Sequence, residues 1–301
     1  MSPSGSSTPT PTFEQILNFR DVGSTIRSIS STSKLRHGLL YRSARPDNAT
    51  EQDRTKLTRQ YGVQTIVDLR SKTEHINAAK KHSDIAALAQ PGVIPSSNSA
   101  VATPLKIPGI RYVEISLTGK SFERALLWKM SWGQIGMLAS LMAMGYRTEG
   151  ISVLGKNVMQ PRGLVGLGKD TLDYSGKEIK EVFDVLSDEQ SYPVVVHCTQ
   201  GKDRTGLVIL LVLLLCGIAI EAISLDYAIS EKELEPEMKE RLEEIASIGL
   251  DSTFAGCPTD FVEKIVAYLD ERYGGVKSYL INVRVDEGQQ NRIRAFLETR
   301  S

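Results

Sequence analysis

The chain carries no excess of charge. Thirty-six Lys and Arg stand against thirty-six Asp and Glu, and the pI is about 6.9. Such a balance exerts no general pull on nucleic acid or on an anionic membrane, so any charged partner must be met at a local site. Cysteine is scarce, with Cys198, Cys216 and Cys257 alone. Three scattered thiols without a CxxC pair build neither a disulfide framework nor a zinc site, and they predict a reducing, cytoplasmic setting; no cofactor is expected. Long apolar runs are missing too. The longest, from Leu207 to Ile220, falls short of the roughly 20 residues a spanning helix needs and is interrupted by Cys216 and Gly217, so it predicts a buried helix. The opening MSPSGSSTPTPT lacks the basic end and apolar stretch of a signal peptide and predicts a disordered tail over residues 1–12. What remains of the 301 residues, 41% of them hydrophobic, is enough to bury a full core.

Gly, Pro and Ser punctuate the chain. FEQILNFRDVG sets apolar residues ahead of a turn-forming Arg, Asp and Gly, and GLLYRSARP predicts a short strand ending near Pro46. Thr50 is placed to cap a helix over EQDRTKLTRQY, which Gly62 closes. VQTIVDLRS is a β-branched run that exits into charge, as a buried parallel strand does at the functional edge of a sheet, so Asp68 and Arg70 belong near a strand's C-terminal end. From Gln90 to Pro108 the composition predicts an exposed loop, followed by a strand over IRYVEISL. The Trp- and Met-rich block from Phe122 to Tyr146 has mostly helical spacing. GLVGLGKDTLDYSG reads as a flexible glycine-rich loop, KEIKEVFDVLSD as a helix, SYPVVVHC as a strand begun by Pro193, and everything after Ile220 as helix. Strands interleaved with helices early and helices alone late predict one α/β domain over residues 13–301, with an insertion around residues 90–165.

VVVHCTQGKDRTG carries the chemistry. A β-branched strand delivers His197 and Cys198 to its end, five residues form a loop, and Arg204, Thr205 and Gly206 start a helix. Strand, loop and helix N-terminus together aim backbone N–H groups and a helix dipole at one point, which is an anion site. Thr199, Gln200, Gly201, Lys202, Asp203, Arg204 and Thr205 are the residues expected to surround a phosphate there. In that setting Cys198 is favoured as thiolate over thiol and becomes a nucleophile. Arg204 can hold two phosphoryl oxygens through the transition state, and Thr205 can donate its hydroxyl to the departing thiolate. Gly201 and Gly206 permit the tight loop and the close helix. Cys216 and Cys257 read as structural thiols.

HCTQGKDRTG resembles the HCxxGxxRT signature of cysteine-dependent protein tyrosine phosphatases. Its Lys-Asp-Arg form is similar to the atypical family typified by mycobacterial protein tyrosine phosphatase B, in particular its fungal branch. NFRDVG at 18–23, LYRSARP at 40–46, IVDLRS at 66–71, DYAIS at 226–230 and the closing GGVKSYLINV resemble that family's other markers, so the likeness spans nearly the whole chain outside tail and insertions. It implies a phosphatase α/β fold, with a central mostly parallel sheet flanked by helices, a helical C-terminal portion and a helical lid-like insertion. It also implies a covalent phosphocysteine, no metal, and substrates among phosphotyrosine, phosphoserine or phosphothreonine, and phosphoinositides. By position, Cys198 is then nucleophile and Arg204 phosphate clamp, with Lys202 and Asp203 the loop's additional charged pair.

A carboxylic acid near the phosphate must protonate the leaving oxygen and then activate water. No WPD occurs, so the candidates are Asp68 first, Asp203 second, and Asp170 or Asp173 third; the structural alternative for Asp68 is a salt bridge with Arg70 or Arg20. Lys202 could serve a second phosphate of an inositol lipid or simply balance Asp203. Arg20, Arg42, Arg45 and Arg70 are candidates for touching substrate or for ion pairs. Trp128, Met130, Trp132 and Met137 are read as core before lid, and lid before membrane-surface contact. A rhodanese-like sulfurtransferase and a phosphate-binding pseudophosphatase or scaffold are the competing classes. Oligomeric state is not encoded in any motif.

Overall fold

The computed structural model describes residues 13–81 and 106–299; the expected tail and most of the expected loop from Gln90 lie outside them. Among the described residues, five short strands form one sheet in the order β1-β2-β5-β3-β4. They are β1 (Arg20–Asp21), β2 (Leu40–Ser43), β3 (Thr65–Asp68), β4 (Arg111–Glu114) and β5 (Val194–His197). Only the β1–β2 pair is antiparallel. β5 lies at the centre, and its last residue, His197, is in register with Ser43 of β2 on one side and Asp68 of β3 on the other. The carboxyl ends of three parallel strands therefore finish level, at the edge where open α/β sheets place their ligands.

The period-2 alternation of β5 divides two cores. Val194 and Val196 face the larger one, with Val67 of β3 and Ile179, Val182 and Phe183 of a helix beneath. Val195 faces the smaller one, with Tyr41, Ile66, Leu57, Phe13 and Ile107. Both faces being covered explains why VVV has no polar residue.

The helices in chain order are α1 (Val22–Ile29), α2 (Glu51–Thr55), α3 (Lys72–Lys81), α4 (Lys120–Trp128), α5 (Trp132–Ala143), α6 (Arg147–Leu154), α7 (Gln160–Tyr174), α8 (Gly176–Leu186), α9 (Asp203–Leu215), α10 (Ile220–Glu233), α11 (Met238–Ser247), α12 (Phe261–Tyr273), α13 (Val276–Asn282) and α14 (Glu287–Leu297). Thr50 caps α2 through a reciprocal capping box with Asp53, as its position predicts. α9 is apolar all round because it runs through the larger core, with residues Thr205–Leu213 all buried. Among the described residues no helix is long and apolar enough to cross a membrane.

Three expectations need correction. The turn-forming Asp21 is instead the N-cap of α1, accepting from the Ser24 amide at 3.1 Å. GLVGLGKDTLDYSG is no flexible loop: most of it belongs to α7, where Leu172 enters the core, Asp170 accepts from Arg162 (2.7 Å), and Asp173 accepts from Tyr268 and Tyr273. These tertiary contacts outweigh the poor helix propensity of its glycines. The Trp- and Met-rich block forms α4 and α5, but only part of it is core. Phe122, Leu126 and Met130 pack with Val153 and Val158 in a small cluster of their own, whereas Trp128 and Trp132 are 78% and 86% exposed and Met137 is exposed as well.

Candidate active site

Cys198 follows the last residue of β5, is 3% exposed and is a free thiol. The loop from Thr199 to Lys202 then turns into α9. Gly201 has φ +64°, and a Cβ there would sit 2.0 Å from the Ser43 carbonyl oxygen, so neither the conformation nor the space admits a side chain. At Gly206 a Cβ would press on the Tyr227 ring at 3.1 Å, which is how closely α10 approaches the start of α9.

The carbonyls of the loop are all taken from behind. Cys198 O is 3.0 Å from His197 Nδ1, and Thr199 O accepts from the Arg45 amide at 3.0 Å. Gln200 O accepts from Asn18 Nδ2 at 2.9 Å, and Gly201 O from Arg42 Nη2 at 2.7 Å. Lys202 O accepts from the Gly206 amide at 2.7 Å and from Arg42 Nη2 at 3.3 Å. A trans peptide sets its N–H opposite its C=O. Carbonyls fixed on the outside therefore turn the amides of Gln200 through Asp203 to the inside, over the end of β5, where an oxyanion can be held.

Arg204 is held by a residue that the sequence does not single out. Glu74, in the first turn of α3, accepts from Arg204 Nη1 at 2.7 Å and Nη2 at 2.6 Å, and also from the Thr199 hydroxyl. Burial opposes ionisation of Glu74, but the Arg204 guanidinium outweighs it and brings the carboxyl down to about 2. Arg204 in turn is held above its ordinary value by Glu74. Glu74 engages only the end of the fork; the Nε–H and the second Nη2–H, the side-on pair, make no hydrogen bond to the described residues and are available to a phosphoryl group. A signal for Glu74 exists, since Ser71 and Glu74 form an S-x-x-E pattern. Its carboxylate accepts from the Ser71 amide at 2.9 Å, so it passes for an ordinary capping residue.

Thr205 is fully buried, and among the described residues its hydroxyl has no hydrogen-bond partner. Asp203 is the loop's one partly open carboxylate, 36% exposed, with the Tyr227 hydroxyl and the Lys202 ammonium each 3.3 Å away. Lys202 is placed against the reading that it serves a second phosphate: it is fully buried, and its ammonium donates to Gly256 O at 2.6 Å and Phe254 O at 3.1 Å. The side chain reaches back into the protein because those carbonyls, with Asp203, solvate its charge.

Asp68 has the Arg70 ion pair that is its structural alternative. Arg70 donates to it from Nε at 3.0 Å and Nη2 at 2.8 Å, and to Asp47 from Nη1 at 2.6 Å and Nη2 at 3.1 Å, all within the interior. His197 and His75 approach Asp68 at 3.4 and 3.6 Å. Burial would raise this carboxyl, but His197 and Arg70 hold it below the usual carboxylate range. Asp170 and Asp173 are committed within α7 as described. Arg20 and Arg42 share Asp226, at 2.8 and 2.6 Å. Of the four marker arginines only Arg45 keeps a loose partner, Glu237 at 3.6 Å. Burial pushes the Cys216 and Cys257 thiols up, to about 12 and about 11, as befits structural cysteines.

A strand-loop-helix anion cradle with a cysteine at its entry and an arginine at its exit defines a cysteine-type phosphatase. Comparison with known proteins agrees: the model of a tyrosine phosphatase family matches residues 11–299, and the chain belongs to that family. The triple specificity protein phosphatase PtpB of Mycobacterium tuberculosis is 25% identical over 300 residues, covering 93% of this chain and 96% of that protein. A tyrosine-protein phosphatase of Nostoc commune is 32% identical over 136 residues, so the match spans 42% of this chain and less than half, 46%, of that relative. Among solved structures, the core catalytic domain of the PP-IP phosphatase SIW14 from S. cerevisiae aligns with a TM-score of 0.31 at 13% identity, over 78% of this chain and 91% of that one.

Proposed function

We propose that the protein hydrolyses phosphate monoesters, phosphotyrosine first among them, through a phosphocysteine on Cys198. One observation carries the reading: every carbonyl from Cys198 to Lys202 is bonded to a neighbouring element or to the first turn of α9, and trans peptide geometry then turns the amides of Gln200 through Asp203 toward the end of β5, beside the thiol. In the first step the Cys198 sulfur forms a bond to phosphorus, the bond from phosphorus to the leaving oxygen breaks, and that oxygen takes a proton from a carboxylic acid. The loop amides and the free edge of Arg204 bear the charge of the equatorial oxygens. In the second step water attacks phosphorus, the same carboxylate takes its proton, and the sulfur leaves as thiolate, steadied by the Thr205 hydroxyl.

Asp203 suits the acid role better than Asp68. It stands at the first position of α9, next to Arg204, with a partly open carboxylate, whereas Asp68 is sealed in the interior and forked by Arg70. The chain's likeness to a triple specificity phosphatase supports a range that extends to phosphoserine, phosphothreonine and phosphoinositides. The sealed ammonium of Lys202 lends no support to an inositol-lipid preference. A cytoplasmic setting fits this reading, as does a scheme in which amides and one guanidinium, without a metal, neutralise the phosphate.

The test is turnover of an aryl phosphate by the purified chain and by Cys198→Ser. Activity in the first and its abolition in the second, with a phosphorylated Cys198 trapped by rapid quench, is the expected result. Thiosulfate turnover instead would point to a sulfurtransferase, and oxyanion binding without turnover to a pseudophosphatase; either ends the proposal.

A further inference from the structure

Three marker segments resemble those of phosphatases without having an assigned task, and they meet behind the anion cradle. Asn18 and Arg20 come from NFRDVG, Arg42 from LYRSARP, and Asp226 and Ser230 from DYAIS. Arg20 donates to Asp226 Oδ1 at 2.8 Å, to the Asp226 carbonyl at 2.7 Å and to Ser230 Oγ at 3.0 Å, and it also holds Asn18 Oδ1. Arg42, 1% exposed, donates Nη1 to Asp226 Oδ2 at 2.6 Å. Two guanidiniums thus share one carboxylate, and positive charge is left over in the interior.

The surplus is directed at the loop. Arg42 Nη2 meets the carbonyls of Gly201 and Lys202, and those carbonyls belong to the same peptide units as the amides of Lys202 and Asp203. A cation bonded to a carbonyl draws electron density through the peptide and makes the N–H on its far side a stronger donor. Asn18 does the same, without charge, for the peptide whose N–H is that of Gly201.

We propose that Arg42 is a positioning residue of the phosphoryl site: a second cation that reaches the oxyanion through the Lys202 and Asp203 peptides rather than by contact, with Asp226 setting its fork and Asn18 aligning the neighbouring peptide. The proposal rests on the phosphatase reading above. Burial and Arg20 pull the Arg42 guanidinium down to about 10 while Asp226 supports it, which still leaves it charged at neutral pH.

The experiment compares the full chain with Arg42→Met, Arg42→Lys and Arg20→Gln. It measures tungstate affinity by calorimetry and the rate of Cys198 alkylation by iodoacetamide at mildly acid pH, with unfolding midpoints recorded alongside. Arg42→Met is expected to weaken tungstate binding by about tenfold and to slow alkylation, the size expected for losing hydrogen bonds from a charged donor. Arg42→Lys, which keeps the charge but loses the fork, should weaken tungstate less and leave most of the alkylation rate. Arg20→Gln, which removes a charge that reaches the loop only through the neutral amide of Asn18, should change tungstate affinity least. Equal losses in Arg42→Lys and Arg42→Met would mean a packing brace, and equal losses in Arg20→Gln and Arg42→Met a diffuse field; each overturns the proposal, as does tungstate affinity untouched by Arg42→Met. If Arg42→Met does not fold, Arg42→Lys against the wild-type chain decides: weakened tungstate binding with most of the alkylation rate kept supports the proposal, and unchanged binding overturns it. Failure of the wild-type chain to bind tungstate would instead sink the phosphatase reading itself.

Discussion

Two buried ion clusters flank the end of β5, and they are built in opposite senses. On the β2 side Arg20 and Arg42 share the single carboxylate of Asp226. On the β3 side the single guanidinium of Arg70 is shared by Asp47 and Asp68, with His75 and His197 beside the latter. The first cluster touches the loop carbonyls and sends surplus positive charge toward the anion site. The second ties the strand ends together and, among the described residues, touches the loop through His197 alone. Ion pairs that look alike in a sequence thus divide into one that shapes the site and one that holds the sheet, and what separates them is which backbone atoms the arginines reach.

Stability offers the largest break between the two. Asp226→Ala leaves two guanidiniums in the interior without a counter-charge and is expected to cost about 3–5 kcal/mol. Asp68→Asn keeps an amide acceptor in place and leaves Arg70 paired with Asp47, so about 1–3 kcal/mol is expected. Urea unfolding of both variants measures this, and equal losses would show that the clusters do not differ in the way described.

Kinetics gives the next. With Asp203 as the acid, Asp203→Asn should slow turnover of a poor leaving group by about a hundredfold while sparing an activated aryl phosphate. Asp68→Asn should slow both substrates to a similar, smaller degree. A leaving-group dependence that appears in Asp68→Asn and not in Asp203→Asn would give the β3-side cluster the catalytic role. Lys202→Met sharpens the point further. Since its ammonium ties the loop to Phe254 and Gly256, turnover of a soluble phosphoinositide and of an aryl phosphate should fall together; a loss confined to the phosphoinositide would show that Lys202 reaches substrate after all.

Much of this was legible in the residues. The strands over TIVD, RYVE and VVVH, the Thr50 cap and the loop from Cys198 to Thr205 follow from β-branched runs, capping chemistry and spacing, which are local rules. The partners of the loop were not, because they are long-range. Asn18 bonds Gln200 across 182 positions and Arg42 bonds Gly201 across 159, and no local pattern carries such a pairing. The helix over GLVGLGKD was hidden for the same reason, its glycines arguing for a loop until the contacts of Leu172 and Asp170 are known. Trp128 and Trp132 mislead in the other direction: helical spacing predicts a buried stripe, yet of its members Met130 alone is buried, packed with Phe122 and Leu126.

Glu74 supplies the smallest effect and a third kind of pair, one guanidinium to one carboxylate at the front of the loop. Its carboxyl lies at about 2 in the folded chain against an ordinary 4.5. A depressed carboxyl contributes stability in full above about pH 4.5, and that contribution is lost as the pH falls toward about 2. With the side chain 28% exposed, solvent screens the pair, and about 1 kcal/mol is expected. Glu74→Gln should therefore be less stable than wild type by that amount at neutral pH, and the two unfolding curves should converge as the pH drops through this window. The same variant frees the end of the Arg204 fork, so the aryl phosphate reaction should lose kcat more than it gains in KM. A gap in stability that stays constant down to about pH 2 would show that Glu74 acts by packing or by its capping bond to Ser71, and that the arginine clamp is positioned by something else.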